Sequence, residues 1–181
     1  MEMRISLLRG INVSGQKRVP MSELKQLFED LGFENVTTYI NSGNVIFSGP
    51  VSDLTAVSQT IEQRILTVFG FAVPVIIRTA GEMAAALRNN PFYNQKGIEP
   101  DKLHITFLAN SASPEGTDRL MEHTYPPDRF IVNGREVYLH CPAGYGQTKL
   151  TNNFFENKLK TTATTRNLKT VKELVRLASL T

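Results

Sequence analysis

One cysteine in 181 residues, Cys141, excludes an internal disulfide framework. It closes an apolar stretch between Leu139 and Pro142, which predicts a buried, reduced thiol; a nucleophilic role needs exposure and a low pKa. The three histidines, His104, His123 and His140, lack the short spacing that preorganises a zinc site, so structural roles are expected for all three. No metal and no cofactor is expected. There is no run of about 18 apolar residues, and the N-terminus has neither an apolar signal core nor a cleavage pattern. A cytoplasmic protein with no membrane partner is therefore expected. Phosphate-loop, dinucleotide-loop, nucleophile-elbow and zinc-protease motifs are absent, and Gly10-Ile11-Asn12-Val13-Ser14-Gly15 is too loose to be a dinucleotide loop.

The composition is that of a globular chain, 41% hydrophobic and 20% charged, and long enough to bury a core. Its formal net charge of +3 hides an asymmetry. Residues 1–145 hold 13 Lys and Arg against 15 Asp and Glu, whereas residues 146–181 hold 7 against 2. A basic end of this kind suits a phosphate-bearing partner, and equally the solvated face of terminal helices.

Apolar periodicity organises the first half. Met3, Ile5 and Leu7 alternate as in a strand, and Gly10 to Pro20 interrupts with a polar loop carrying Arg9, Lys17 and Arg18. Met21, Leu24, Leu27, Phe28 and Leu31 then recur at helical spacing, and Gly32 sits at the expected C-terminal cap. Val36 to Ile40 and Val45 to Phe47 predict a hairpin around Asn41-Ser42-Gly43-Asn44. A second amphipathic helix runs from Leu54 to Gly70, and Phe71, Val73, Val75 and Ile77 predict a fourth strand, with Pro74 favouring an edge. The order β-α-β-β-α-β is the ferredoxin-like signature, with both helices on one side of an antiparallel sheet.

The second half reads as α-β-α-β-β-α-α. Thr79 and Glu82 have capping-box spacing ahead of a helix through Leu87. Leu103 to Phe107 is a strand, Ser113-Pro114 opens a helix, and Asn133-Gly134 predicts a type I′ hairpin between Phe130–Val132 and Val137–Cys141. Two closing helices follow, the last capped by Asn167. The expected class is thus α+β: a ferredoxin-like subdomain over residues 1–79, then a second small α+β subdomain over 80–181 with basic C-terminal helices. The second half partly echoes the first, yet no residue-level repeat is visible.

Three polar segments are the candidates for chemistry. Arg9, Gly10, Asn12 and Lys17 lie in the first loop, and Asn41, Ser42, Gly43 and Asn44 in the first hairpin. Lys149 lies ahead of Thr165, Arg166 and Asn167 in the third. Arginine can fork onto a phosphate or carboxylate, lysine adds a point charge, and loop amides complete an anion cradle. Capping and turn formation account for the same residues without a ligand. The expected function is binding of an anionic ligand or a nucleic acid, with a phosphate-bearing small molecule or RNA as partner. The alternatives are an enzyme acting on a small phosphorylated or carboxylated compound, and a structural or interaction protein. Against base recognition stands the missing ribonucleoprotein aromatic pattern on a sheet face that would present Arg4, Ser6, Leu8 and Ile46. Against catalysis stands the want of a general base, since Glu23, Asp53 and Glu156 read as surface or cap residues.

Leu7-Leu8-Arg9-Gly10-Ile11-Asn12-Val13, Thr38-Tyr39-Ile40-Asn41-Ser42-Gly43-Asn44-Val45 and Ala163-Thr164-Thr165-Arg166-Asn167, with Val19-Pro20-Met21, resemble a widespread bacterial family classed as a domain of unknown function. The resemblance spans nearly the whole chain. It implies an α+β protein whose first half is ferredoxin-like, and it puts Lys17, Asn41, Gly43, Asn44, Arg166 and Asn167 at motif positions. It implies no reaction. Ser14 stands where a second glycine is expected, and Leu168 where an aromatic is expected.

Overall fold

The computed structural model describes residues 1–180. The chain divides into two compact units, one of Met1–Ala84 with the chain end from Glu173, the other of Ala85–Lys172. Each is built on a four-stranded antiparallel sheet.

In the first unit β1 (Arg4–Leu8), α1 (Met21–Asp30), β2 (Glu34–Tyr39), β3 (Asn44–Ser48), α2 (Leu54–Phe69) and β4 (Val75–Thr79) follow the β-α-β-β-α-β order. The sheet order is β2-β3-β1-β4. Leu24, Leu27 and Phe28 of α1 and Ile61 and Ile65 of α2 share one core with Leu8, Val45, Phe47, Val75 and Ile77. Burying each such side chain contributes about 1.5–3 kcal/mol. Pro74 ends the approach to the edge strand β4, which begins at Val75, later than the alternation from Phe71 predicts. Alternation without ladder bonds does not make a strand, and Phe71 and Val73 pack into the core from a loop.

The sheet faces correct the sequence reading. Ser6 pairs with Val45 and Arg4 with Phe47, so Arg4, Ser6 and Leu8 lie on the face that meets α1 and α2. Ile5, Leu7, Ile46 and Ile76 occupy the other face and are buried as well. Neither face is left open as a base-stacking platform.

The second unit corrects the element order. Between β5 (Leu103–Leu108), α4 (Pro114–Met121), β6 (Arg129–Asn133), β7 (Glu136–His140) and α5 (Asn152–Leu159) and the last helix α6 (Leu168–Ser179) stands an eighth strand, β8 (Ala163–Asn167). Three consecutive threonine or arginine residues hide its apolar signal; it is made a strand by its ladder with β5. The order β6-β7-β5-β8 repeats that of the first sheet.

The repetition reaches single residues. Ile5 pairs with Ile46 and Arg78, and Ile105 pairs with Tyr138 and Arg166. Ser6 pairs with Val45 and Ile77, and Thr106 with Val137 and Thr165. The first-unit strand Ile5-Ser6-Leu7-Leu8 thus matches Ile105-Thr106-Phe107-Leu108, and Arg78 matches Arg166. The separation falls from 100 residues (105 − 5) to 92 (137 − 45) to 88 (166 − 78), so no fixed period shows it. After β4, α3 (Ala80–Arg88) takes the place that α6 takes after β8, and both start on a cap. Thr79 Oγ1 accepts from the Glu82 amide at 3.1 Å while Glu82 Oε2 accepts from the Thr79 amide at 2.9 Å. Asn167 Oδ1 accepts from the Thr170 amide at 2.8 Å.

The β6–β7 turn also differs from expectation. Asn133 pairs with Glu136, so Gly134 and Arg135 are the central residues. Only Gly134 has a positive φ, 62°, which fits a type II′ turn rather than type I′.

Candidate functional site

The two halves differ most in their connections. Twelve residues, Arg9 to Pro20, join β1 to α1, whereas five, Ala109 to Ser113, join β5 to α4. Conversely, three residues, Leu31 to Phe33, join α1 to β2, whereas seven, Glu122 to Asp128, join α4 to β6. Extra length on a shared frame is where function is most often carried.

The long loop of the first unit brings two of the three polar segments together. Because β1 and β3 are antiparallel, the end of β1 meets the start of β3, and the Leu8 amide donates to Gly43 O at 2.9 Å. Asn12 fastens the loop to the hairpin. Its Nδ2 donates to Asn41 O at 2.8 Å and to Val19 O at 3.0 Å, and its Oδ1 accepts from the Val19 amide at 2.8 Å. Lys17 Nζ donates to Ala72 O at 2.9 Å and the Arg9 amide to Pro74 O at 3.0 Å, so the lead into β4 joins the same rim. Buried Asn44 is the first residue of β3, not a turn residue, and its Nδ2 donates to Tyr39 O at 2.9 Å and Ser42 Oγ at 3.0 Å. The turn itself is Ile40 to Gly43. Gly43 has φ 87°, and a Cβ there would lie 2.7 Å from Ile11 Cδ1 and 2.8 Å from Leu8 Cβ.

This rim carries strained backbone. Asn12, Ser14, Lys17 and the β-branched Ile40 all have φ near +50°, a region that Asn tolerates but that Ser, Lys and above all Ile rarely adopt. Val13 and Ile40 are 59% and 48% exposed at its tips. No Asp or Glu lies between residues 5 and 22 or between 35 and 52, while Arg9, Lys17 and Arg18 fall there.

The other four predicted site residues belong to the second unit. Arg166 is buried, donates from Nη1 to Thr164 Oγ1 at 2.9 Å and to Thr165 O at 3.0 Å, and burial pulls its pKa down to about 10, with Tyr145 pulling the other way. Tyr145 also stacks 4.8 Å from His104. Thr165 Oγ1 shares hydrogen bonds of 2.7 Å with Asn152 Oδ1 and with Thr106 Oγ1. Asn167 caps α6, and Lys149 Nζ lies 5.5 Å above the Tyr125 ring. These are mainly ladder, cap and ring contacts. The acidic candidates behave as caps or backbone acceptors too, Asp53 taking the Thr55 amide and Glu156 the Ala163 amide.

One feature of the second unit escaped the sequence reading. The seven-residue connection, the start of β6 and Phe92 line an open cavity of about 430 Å³. Its walls are chiefly Phe92, Tyr125, Pro126, Pro127 and Phe130, and His123, Asp128 and Arg129 also line it. The sequence signal is Tyr125-Pro126-Pro127-Asp128-Arg129-Phe130, aromatic rings flanking two rigid prolines and a charge pair. Close by, burial and Arg129 push the His140 pKa below the ordinary value while Asp128 opposes them, and its buried Nδ1 has no partner.

A model of the family described as a protein of unknown function (DUF1697) matches residues 1–138. The chain belongs to this family. The match stops short of β8, so the segment Ala163–Asn167 lies beyond the matched residues. No functionally curated protein matches the chain. Among solved structures, the conserved bacterial protein SP0830 from Streptococcus pneumoniae has the same fold, with a TM-score of 0.71, 22% identity and 98% of each chain covered. No helix among the described residues is long and apolar enough to cross a membrane.

Proposed function

We propose that this protein binds a phosphate-bearing ligand at the rim formed by the Arg9–Pro20 loop and the Ile40–Gly43 turn. One observation carries the reading: three cations and no acidic side chain lie on two segments that Asn12 ties together. A local excess of positive charge favours anions and speeds their encounter. The backbone contributes as well. Gly10, Asn12 and Ser14 have positive φ while Ile11 and Val13 between them do not, the alternation of φ sign on which anion-binding amide nests are built. The Asn12 amide is engaged with Lys17 O at 3.1 Å, so Lys17, Arg18 and Arg9 are the principal contacts.

Both sheet faces being buried, an RNA partner would be held through its phosphates rather than by stacked bases. Binding is measured by fluorescence anisotropy with a labelled single-stranded RNA and by thermal shift with ADP, which separates the two sources of phosphate. Lys17→Glu and Arg18→Glu should each weaken binding roughly tenfold at low salt, with a smaller effect as salt rises. Undiminished affinity in both folded variants would sink the proposal. Arg166→Ala is a poor test, because removing a buried guanidinium disturbs β8 directly.

A further inference from the structure

The cavity of the second unit lies at the connection that is three residues long in the first. There the α1–β2 connection is filled by its own aromatic, Phe33, whose ring lies 4.7 Å from Phe47 and 5.9 Å from Phe28. In the second unit the equivalent connection is four residues longer (seven against three), and its rings wall a space instead of filling one. The walls are held before any ligand arrives. Tyr125 packs edge-on to Phe154 at 5.6 Å and Phe130 to Phe155 at 5.9 Å. The Asp128 amide closes the turn onto Tyr125 O at 2.9 Å, and Asp128 Oδ2 accepts from Thr148 Oγ1 at 2.6 Å. Two consecutive prolines further limit the conformations the segment can adopt. A preorganised apolar cavity of this size falls within the range of small-molecule sites.

Charge selects the ligand. Asp128 is already engaged by Thr148, whereas Arg129 has no carboxylate partner among the described residues. Its Nη2 donates to Gln95 Oε1 at 3.3 Å and its guanidinium carbon lies 5.0 Å from the centre of the Phe92 ring. The planar fork is thus oriented at the cavity wall with most of its five donors unused. His123, 6.4 Å from Tyr125 and edge-on to Phe154, adds another flat ring. We infer that this cavity is a binding site for a small aromatic carboxylate, its ring held between Tyr125, Phe130 and the prolines and its carboxylate on Arg129. The site belongs to the second unit, whereas the rim proposed to bind phosphate belongs to the first.

The probe is 1-naphthoate, titrated calorimetrically into the full-length protein, with neutral 1-naphthalenemethanol as comparison. Naphthoate should bind saturably and the alcohol at least about tenfold more weakly, the loss expected when a charge-assisted hydrogen bond is removed. Arg129→Ala should weaken naphthoate by a similar factor, and Thr124→Trp, at an exposed lining residue, should abolish binding by filling the cavity. Lys17→Glu should leave naphthoate binding unchanged. Circular dichroism verifies that each variant is folded, and Thr124→Trp serves alone if Arg129→Ala is not. Absence of binding to the wild type, equal affinity for the alcohol, or full binding to folded Thr124→Trp would overturn the inference. Tighter binding of Gly-Gly-Phe than of naphthoate would also overturn it, assigning the cavity to polypeptide chain ends.

Discussion

Gly43 and Gly134 both adopt positive φ in hairpin turns, yet the chain around them differs. At Gly134 a Cβ would meet nothing within 4 Å, so Gly134→Ala carries only the left-handed backbone cost, about 1 kcal/mol. At Gly43 the same methyl would strike Ile11 and Leu8, both buried side chains that cannot withdraw. Overpacking adds to the backbone term, and Gly43→Ala should destabilise by about 3 kcal/mol in urea denaturation. Comparable losses for the two variants would show that Ile11 yields freely. The positive φ at Gly43 was legible from the polar turn in the sequence. The close approach was not, because it depends on Ile11, 32 residues away (43 − 11), folding back over the hairpin.

Caps are the element-scale devices that local sequence does announce. Thr79 with Glu82 and Asn167 with Thr170 span three residues each, and their side-chain oxygens meet amides that helix geometry leaves unbonded. Thr79→Ala and Asn167→Ala should each cost about 1 kcal/mol in thermal or chemical unfolding. Because the two caps occupy matching positions of the repeated frame, similar losses are expected; a loss at only one would show that the other helix is held by packing alone. β8 lies at the opposite extreme. Ala163-Thr164-Thr165-Arg166-Asn167 has little apolar alternation, and its strand character comes from pairing with β5, 55 residues earlier at Ala163 (163 − 108) and 63 at Asn167 (167 − 104). The same separation concealed the repeat: Arg78 and Arg166 become equivalent only once their partners Ile5 and Ile105 are known.

At the scale of the whole molecule, acid should weaken the fold before the carboxylates titrate. His104 lies below its ordinary pKa chiefly through burial, a backbone bond to Lys102 opposing the shift, and His140 lies low through burial and Arg129. The buried Nδ1 of His140 lacks a partner. Lowered folded-state values mean that the unfolded chain binds more protons, so stability is undiminished above the unfolded value near 6.5 and falls as pH drops through it. The fall continues until the folded-state values are reached. Unfolding midpoints measured from pH 7.5 to 5 should decline in the wild type and less so in His104→Phe, which keeps a ring against Tyr145. Parallel declines would remove His104 from the account.

By itself the sequence determined the class, the β-α-β-β-α-β order of the first half, the helix caps and the candidate polar loops. These depend on contacts within a turn or on an apolar period, and both are written along the chain. Tertiary structure decided that Asn12 joins two of those loops into one rim, that the sheet faces are both buried, and that the second half repeats the first. It also turned Tyr125 to Phe130 into a cavity wall. Ladder pairing, a ring's packing and the space left between elements depend on residues remote in sequence, and a period read along the chain does not contain them.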